Sequence, residues 1–234
     1  MINILNKYSI NLSKNRAFTL AEVLITLGII GVVSAITIPV VINNYKAIVL
    51  RSQFNKAYAS FAQATQMILT QEFDNTNQFE NISVYEFLVY LQKYMKKAVK
   101  CDRYETCSTS IFPLPENDGL GSAFVAKNYK TYNGNEMNIS FISDASIVLQ
   151  DNTFAIVDGA TTKYITIDIN GWKKKPNKLG HDFFMFQIID GALKPMGSSG
   201  TSWNICSKTS DSSDNGRGCT AQALADKDYF KNLP

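Results

Sequence analysis

Histidine is nearly absent from this 234-residue chain: His181 is its single copy. That excludes zinc centres built on several histidines and leaves little room for a Ser–His pair. None of the four cysteines (Cys101, Cys107, Cys206 and Cys219) lies in a C-x-x-C pair, which argues against redox and zinc-knuckle chemistry. Charged residues are sparse at 18%, and the net charge is only +3. Residues 1–17 hold Lys7, Lys14 and Arg16 and no acid, so they account for the whole excess. The neutral remainder argues against a protein whose main task is to grip nucleic acid. Motifs of catalysis are also missing: there is no G-x-S-x-G, no S-x-x-K, no phosphate loop and no H-E-x-x-H. No enzymatic activity is expected.

What the chain does have is a long apolar run. Residues 23–42 read VLITLGIIGVVSAITIPVVI, without a charge. As a helix they would extend about 30 Å, the thickness of a bilayer's hydrocarbon core. A secretory signal would place its basic residues, a shorter apolar run and a small-residue cleavage site in that order. Here the small Ala17 precedes the apolar run, and Glu22 stands at its edge. An ionisable group at that depth is costly and points to function. Cleavage after Ala17 would make Phe18 a free amino terminus, four residues before Glu22. The ammonium and carboxylate would then pair within one chain or between neighbouring helices, strongly favoured where the dielectric is low.

Arg16-Ala17-Phe18-Thr19-Leu20-Ala21-Glu22-Val23 resembles the cleavage site of the type IV prepilin and type II secretion pseudopilin superfamily. The resemblance implies a basic leader (1–17), removed by a membrane-embedded prepilin peptidase that cuts between Ala17 and Phe18 and N-methylates Phe18. It makes Glu22 the assembly glutamate that neutralises a neighbouring subunit's terminal amine. Gly31 and Pro39 fall where such helices loosen or bend on entering a filament, and proline lacks the donor a continuous helix needs. The sequence departs from the family in having Ala17 where most members have glycine, and Leu20-Ala21 in place of a commoner Leu-Ile. The implied partners are prepilin peptidase, other pilin or pseudopilin subunits, an inner-membrane assembly platform and membrane lipid. The implied location is a single pass through the cytoplasmic membrane with the amino terminus inside, then an extracytoplasmic filament. Lys46, Arg51 and Lys56 lie beyond the apolar run, so flanking charge by itself does not orient it.

Beyond the run the helix continues. Leu50, Phe54, Ala57, Phe61, Ala64 and Ile68 recur every three or four residues, which predicts one helix over about 18–73, membrane-spanning over 23–42. Residues 80–234 form a second unit large enough for its own core. A helical period over 84–99 ends in a basic turn. Strand-like runs follow at 136–142, 146–149, 154–157, 164–169 and 183–189. Helices first and antiparallel strands after give an α+β, pilin-like fold, one sheet face burying the long helix.

The cysteines form two local couples, Cys101 with Cys107 and Cys206 with Cys219; two loop-closing disulfides suit a body outside the cytoplasm. Four reduced thiols remain the alternative, and four cysteines allow three connectivities. The resemblance implies that Cys206 and Cys219 bound the variable loop near the carboxyl end of many pilins. The 197–218 stretch, rich in Gly, Ser, Thr, Asp and Asn, reads as an exposed loop.

In the 168–182 loop, Asp168, Asn170, Asn177 and Asp182 carry hard oxygens that suit calcium. Their spacing is not an EF-hand's, and Lys173, Lys174 and Lys175 oppose a cation. A long turn held by side chain–backbone bonds is the competing account, and no cofactor is expected. Those lysines with Trp172 are the only basic–aromatic cluster. A solvated turn is the first reading of that cluster; the alternative to a structural subunit, a filament-associated adhesin or DNA-uptake module, would be favoured by a salt-dependent loss of DNA binding on replacing those lysines.

Overall fold

The computed structural model describes residues 18–95, 97–101, 122–142 and 144–234. Residues 1–17, read as the leader, and the pairing of Cys101 with Cys107 lie outside the described residues. The chain divides into two units, residues 1–43 and 44–234.

The first helix, α1 (Leu20–Glu72), runs without interruption through the unit boundary. In the first unit its side chains are exposed almost throughout. In the second, the three-to-four spacing seen in the sequence becomes a buried stripe: Ala47, Phe54, Ala57, Phe61, Ala64 and Ile68 are all buried, with Leu50 packed beside them. Four of these are fully or nearly fully enclosed, and burying one such phenylalanine contributes roughly 2–3 kcal/mol.

The stripe lies on a six-stranded antiparallel sheet with consecutive strand order: β1 (Val99–Cys101), β2 (Ala145–Val148), β3 (Phe154–Asp158), β4 (Tyr164–Asp168), β5 (Phe183–Ile189) and β6 (Ala192–Pro195). Strand alternation divides the side chains between two faces. Ile147, Ala155, Val157, Ile165, Ile167, Phe184 and Phe186 meet α1, the Phe54 and Phe184 rings standing 4.6 Å apart. Val148, Phe154, Ile156, Tyr164, Phe183 and Met185 point the other way, into a second core. That core is covered by α4 (Ser122–Asn128), Tyr129, Leu179, Met196 and both tryptophans, so the sheet is buried on both faces rather than one.

Three local outcomes differ from the sequence pattern. The helix expected over 84–99 stops early: α3 (Val84–Tyr94) is capped by Ser83, whose Oγ accepts from the Glu86 N–H at 3.1 Å. Lys97 then adopts a left-handed φ of 62°, and Val99 leaves to pair with Val148 in β1. Residues 136–142, alternating like a strand, form no strand, because their carbonyls are captured by another segment. The β5–β6 turn is Asp190-Gly191, both with positive φ (52° and 72°), as a two-residue type I′ hairpin turn requires. β6 is an edge, where the terminal Pro195 costs no internal ladder bond. The remaining elements are α2 (Thr76–Asn81), α5 (Cys219–Ala225) and a 3-10 turn at Tyr229–Lys231.

Candidate functional site

At the amino end of α1, Phe18 is 85% exposed and precedes the helix. Thr19 and Glu22 form a reciprocal cap. The Thr19 N–H donates to Glu22 Oε2 at 2.8 Å, the Thr19 hydroxyl donates to the same oxygen at 2.9 Å, and the Glu22 N–H donates to Thr19 Oγ1 at 3.2 Å. This is a capping box, the T-x-x-E spacing that satisfies donors otherwise orphaned at a helix start. Sequence reasoning assigned Glu22 a role but passed over Thr19, although the spacing was legible. Glu22 therefore has a structural task in the single chain, apart from any pairing with a terminal amine.

After Glu22 the helix shows an unbroken apolar surface. Its most apolar 18-residue window has a mean hydropathy of 2.5 and buries none of its residues. The two threonines in it turn their hydroxyls inward, Thr26 to the Val23 carbonyl and Thr37 to the Val33 carbonyl, both at 2.9 Å. Pro39 sits inside the helix and removes one backbone donor. A side chain at Gly31 would meet nothing within 4 Å, so this chain's own packing does not require the glycine. Ala17 lies outside the described residues.

Residues 12–38 match the family described as the prokaryotic N-terminal methylation motif. It is a prepilin-type cleavage signal. The matched span holds Ala17, Phe18, Glu22 and Gly31 and supports a pilin- or pseudopilin-type substrate of prepilin peptidase. The prepilin signal and the apolar helix together fit a membrane-anchored pilin, and the helix-plus-sheet architecture is pilin-like α+β. No curated protein and no solved structure matches the chain.

In the body, the four oxygen-bearing residues of the 168–182 loop are brought together. Asp168, at the end of β4, is fully buried and accepts from the N–H groups of Asn170 (3.1 Å) and Gly171 (2.7 Å) and from the Tyr129 hydroxyl (2.5 Å). Asp182, just before β5, is also fully buried and accepts from the N–H groups of Asn177 (3.0 Å) and Lys178 (2.8 Å). Asn170 joins the two, its Nδ2 lying 3.4 Å from Asp182 Oδ2. Burial, then repulsion from Asp182, pushes Asp168 up to about 7, and burial raises Asp182 as well. Tyr129 is driven well above its ordinary range by burial and by Asp168. Lys173, Lys174 and Lys175 are exposed and do not enter the cluster, though Lys173 lies 5.7 Å from the Trp172 ring centroid. His181 is buried, with its Nε2–H donating to the Tyr132 carbonyl at 3.0 Å, and burial lowers it to about 4.

The 197–218 loop is less exposed than its composition suggests, since residues 215–218 are buried. Its ends meet closely enough that a Cβ on Gly197, whose φ is +97°, would lie 2.1 Å from the Gly218 carbonyl oxygen. Cys206 and Cys219 are bonded, with Cα atoms 4.8 Å apart. Asn215, fully enclosed, donates to the carbonyls of Ser207 and Ser210 and accepts from the Ser207 N–H. Closing a loop of this length contributes about 3 kcal/mol. Replacing both cysteines with alanine is therefore expected to lower unfolding free energy by about 2–4 kcal/mol in a denaturant titration of the oxidised chain. A loss under about 1 kcal/mol would mean that the Asn215 bonds hold the loop unaided.

Proposed function

We propose that this chain is a pilin-like structural subunit, cut between Ala17 and Phe18, N-methylated on Phe18, and assembled into a type IV pilus or type II secretion pseudopilus. The reading rests on one coincidence: the prepilin signal over 12–38 overlies a helix start with Glu22 in its first turn and an unburied apolar stretch behind it. Before assembly the apolar stretch spans the cytoplasmic membrane, with the leader inside and residues 44–234 outside. On extraction it exchanges lipid for neighbouring helices, while the Phe18 amine and Glu22 of adjacent subunits neutralise each other. The assembly platform and the energy source are other proteins. A large body with a disulfide-bounded, tightly bonded loop supports a minor or specialised subunit over the bulk subunit of a filament.

Coexpression with a prepilin peptidase, followed by intact mass and amino-terminal sequencing, tests this directly. The expected product begins at N-methylated Phe18. A chain still beginning at Met1 would reduce the segment to a simple membrane anchor and remove the basis for filament assembly.

A further inference from the structure

We propose that the end of the body at which α1 enters it is a docking surface for anionic lipid headgroups, formed by Lys173, Lys174 and Lys175 together with Lys46 and Lys227. The proposal rests on the reading that residues 23–42 cross a membrane, and concerns the subunit before assembly.

Contacts along α1 give the body two ends. Phe54 meets Phe184 with ring centroids 4.6 Å apart, Tyr58 meets Phe186 at 5.5 Å, and a Cβ on Gly191 would lie 2.4 Å from Leu69. β5 therefore runs beside α1 in the same direction, and β4, antiparallel to it, finishes at the early end of the buried stripe. The 168–182 loop closes the sheet there. A Cβ on Gly171 would lie 2.7 Å from the Asn152 carbonyl oxygen in the β2–β3 turn, and the adjacent Asp151 pairs with Lys56 of α1. The carboxyl-terminal segment reaches the same end, since Arg51 donates to the Asp226 carbonyl at 2.7 Å.

Residues 18–234 balance in charge, but folding sorts that charge by end. Lys46, Lys173, Lys174, Lys175 and Lys227 are exposed at the early end, and none of them forms an ion pair among the described residues. Of the acids brought to this end, Asp151 pairs with Lys56 at 2.6 Å and Asp228 with Lys231 at 2.8 Å. Asp168 and Asp182 are enclosed, and Asp226 remains exposed. The opposite end is acidic. Asp74, Glu86 and Asp190 are exposed there and Glu80 is half-buried. Lys163 beside them is enclosed, its Nζ donating to the Glu80 carbonyl at 2.5 Å.

Like charges gathered on one surface repel one another, and a surface of opposite sign offsets that cost. Chain connectivity identifies the surface. α1 continues unbroken from Ile42, the last residue of the apolar run, to Ala47, the first residue of the helix that is buried. Five residues of helix rise about 8 Å. That is close to the depth of a headgroup layer, about 5–7 Å, and within the Debye length of about 8 Å at physiological salt. The charges nearest the bilayer surface are therefore lysines. Each lysine close to an anionic bilayer strengthens attachment about fivefold, and a neutral bilayer gives no such gain. Nucleic acid is also a polyanion, but the bilayer is held at this end by the span itself, and nucleic acid would have to enter the gap between them.

The test uses the full chain reconstituted into phosphatidylcholine vesicles, with and without added phosphatidylglycerol, and does not depend on whether the leader has been removed. Exposed amines are acetylated briefly with a reagent that does not cross bilayers, and the rate at each lysine is read by mass spectrometry. Lys173, Lys174, Lys175, Lys46 and Lys227 are expected to react at least about fivefold more slowly when phosphatidylglycerol is present. High salt should abolish the difference, and Lys194 on the edge strand β6 should keep one rate throughout. Replacing Lys173, Lys174 and Lys175 together by glutamine should return Lys227 towards its rate on neutral vesicles. The melting temperature of that variant should match wild type, because all three side chains are exposed. Equal rates on both kinds of vesicle, from a chain that floats with them, would overturn the docking surface and leave the membrane span standing. A chain that does not float with phosphatidylcholine vesicles would overturn both. Slowing by added duplex DNA on neutral vesicles, with none from phosphatidylglycerol, would reassign the lysines to nucleic acid.

Discussion

Glu22→Gln is expected to leave membrane insertion and cleavage intact and to reduce filament assembly by more than about tenfold, because an unmatched ammonium in a low-dielectric helix bundle is strongly disfavoured. Glutamine is the informative replacement. Glu22 closes a capping box with Thr19, and glutamine serves in such a box as glutamate does. The variant therefore keeps the helix start and removes only the charge. Glu22→Ala would remove both, and its failure would not distinguish them. Thr19→Val is the complementary control: it discards the hydroxyl of the cap, keeps the carboxylate, and should still assemble. Sheared filaments and membrane fractions from cells carrying the full assembly machinery would be compared by immunoblot. Wild-type filament yield from Glu22→Gln would show that the residue is a cap and not the counter-charge of Phe18.

Arg217→Ala should lower the stability of the body by about 3–5 kcal/mol, the scale for breaking a buried charged network. Arg217 is fully enclosed. Its Nη2 donates to the carbonyls of Asn138 (2.7 Å) and Ser140 (2.8 Å), its Nε lies 3.1 Å from Asp214, and its guanidinium stands 4.4 Å over the Trp203 ring centroid. One side chain thus holds the 136–142 segment, the carboxyl-end loop and an aromatic cover of the second core. Burial lowers the tendency of the guanidinium to hold its proton, but not enough to discharge an arginine. Alanine would leave two carbonyls without their donor and a hole against Trp203. Arg217→Lys restores the charge without the planar fork or the stacking, and should remain about 2 kcal/mol below wild type. Urea titration of the oxidised chain, followed by tryptophan emission, measures both. An alanine variant within about 1 kcal/mol of wild type would show that the disulfide and Asn215 suffice to hold these loops.

The same contacts explain where the sequence pattern misled. Met137, Ile139 and Phe141 alternate as in a strand, but the carbonyls a strand would spend on a neighbour are held by Arg217, and Phe141 takes a left-handed φ of 63°. Met95 and Val99 extend the helical period of α3, yet Val99 gains more from pairing with Val148 at the sheet edge. The 197–218 loop has the composition of an exposed segment, and still buries Arg217, which donates to the distant Asn138 carbonyl, and Asn215, which donates to the Ser207 and Ser210 carbonyls within the loop.

The amino-terminal third was open to reading because its properties belong to consecutive residues. A charge-free run, a cleavage motif, a T-x-x-E cap and a three-to-four stripe are all expressed within a few turns of one helix, where side-chain direction follows from position alone. The tertiary structure decided which polar groups meet. Tyr129 reaches Asp168 across 39 residues and Arg217 reaches Asn138 across 79. A hydrogen bond between such partners leaves no period and no spacing in the chain. Only the packing of both sheet faces fixes which oxygens are enclosed, and which are left without a donor.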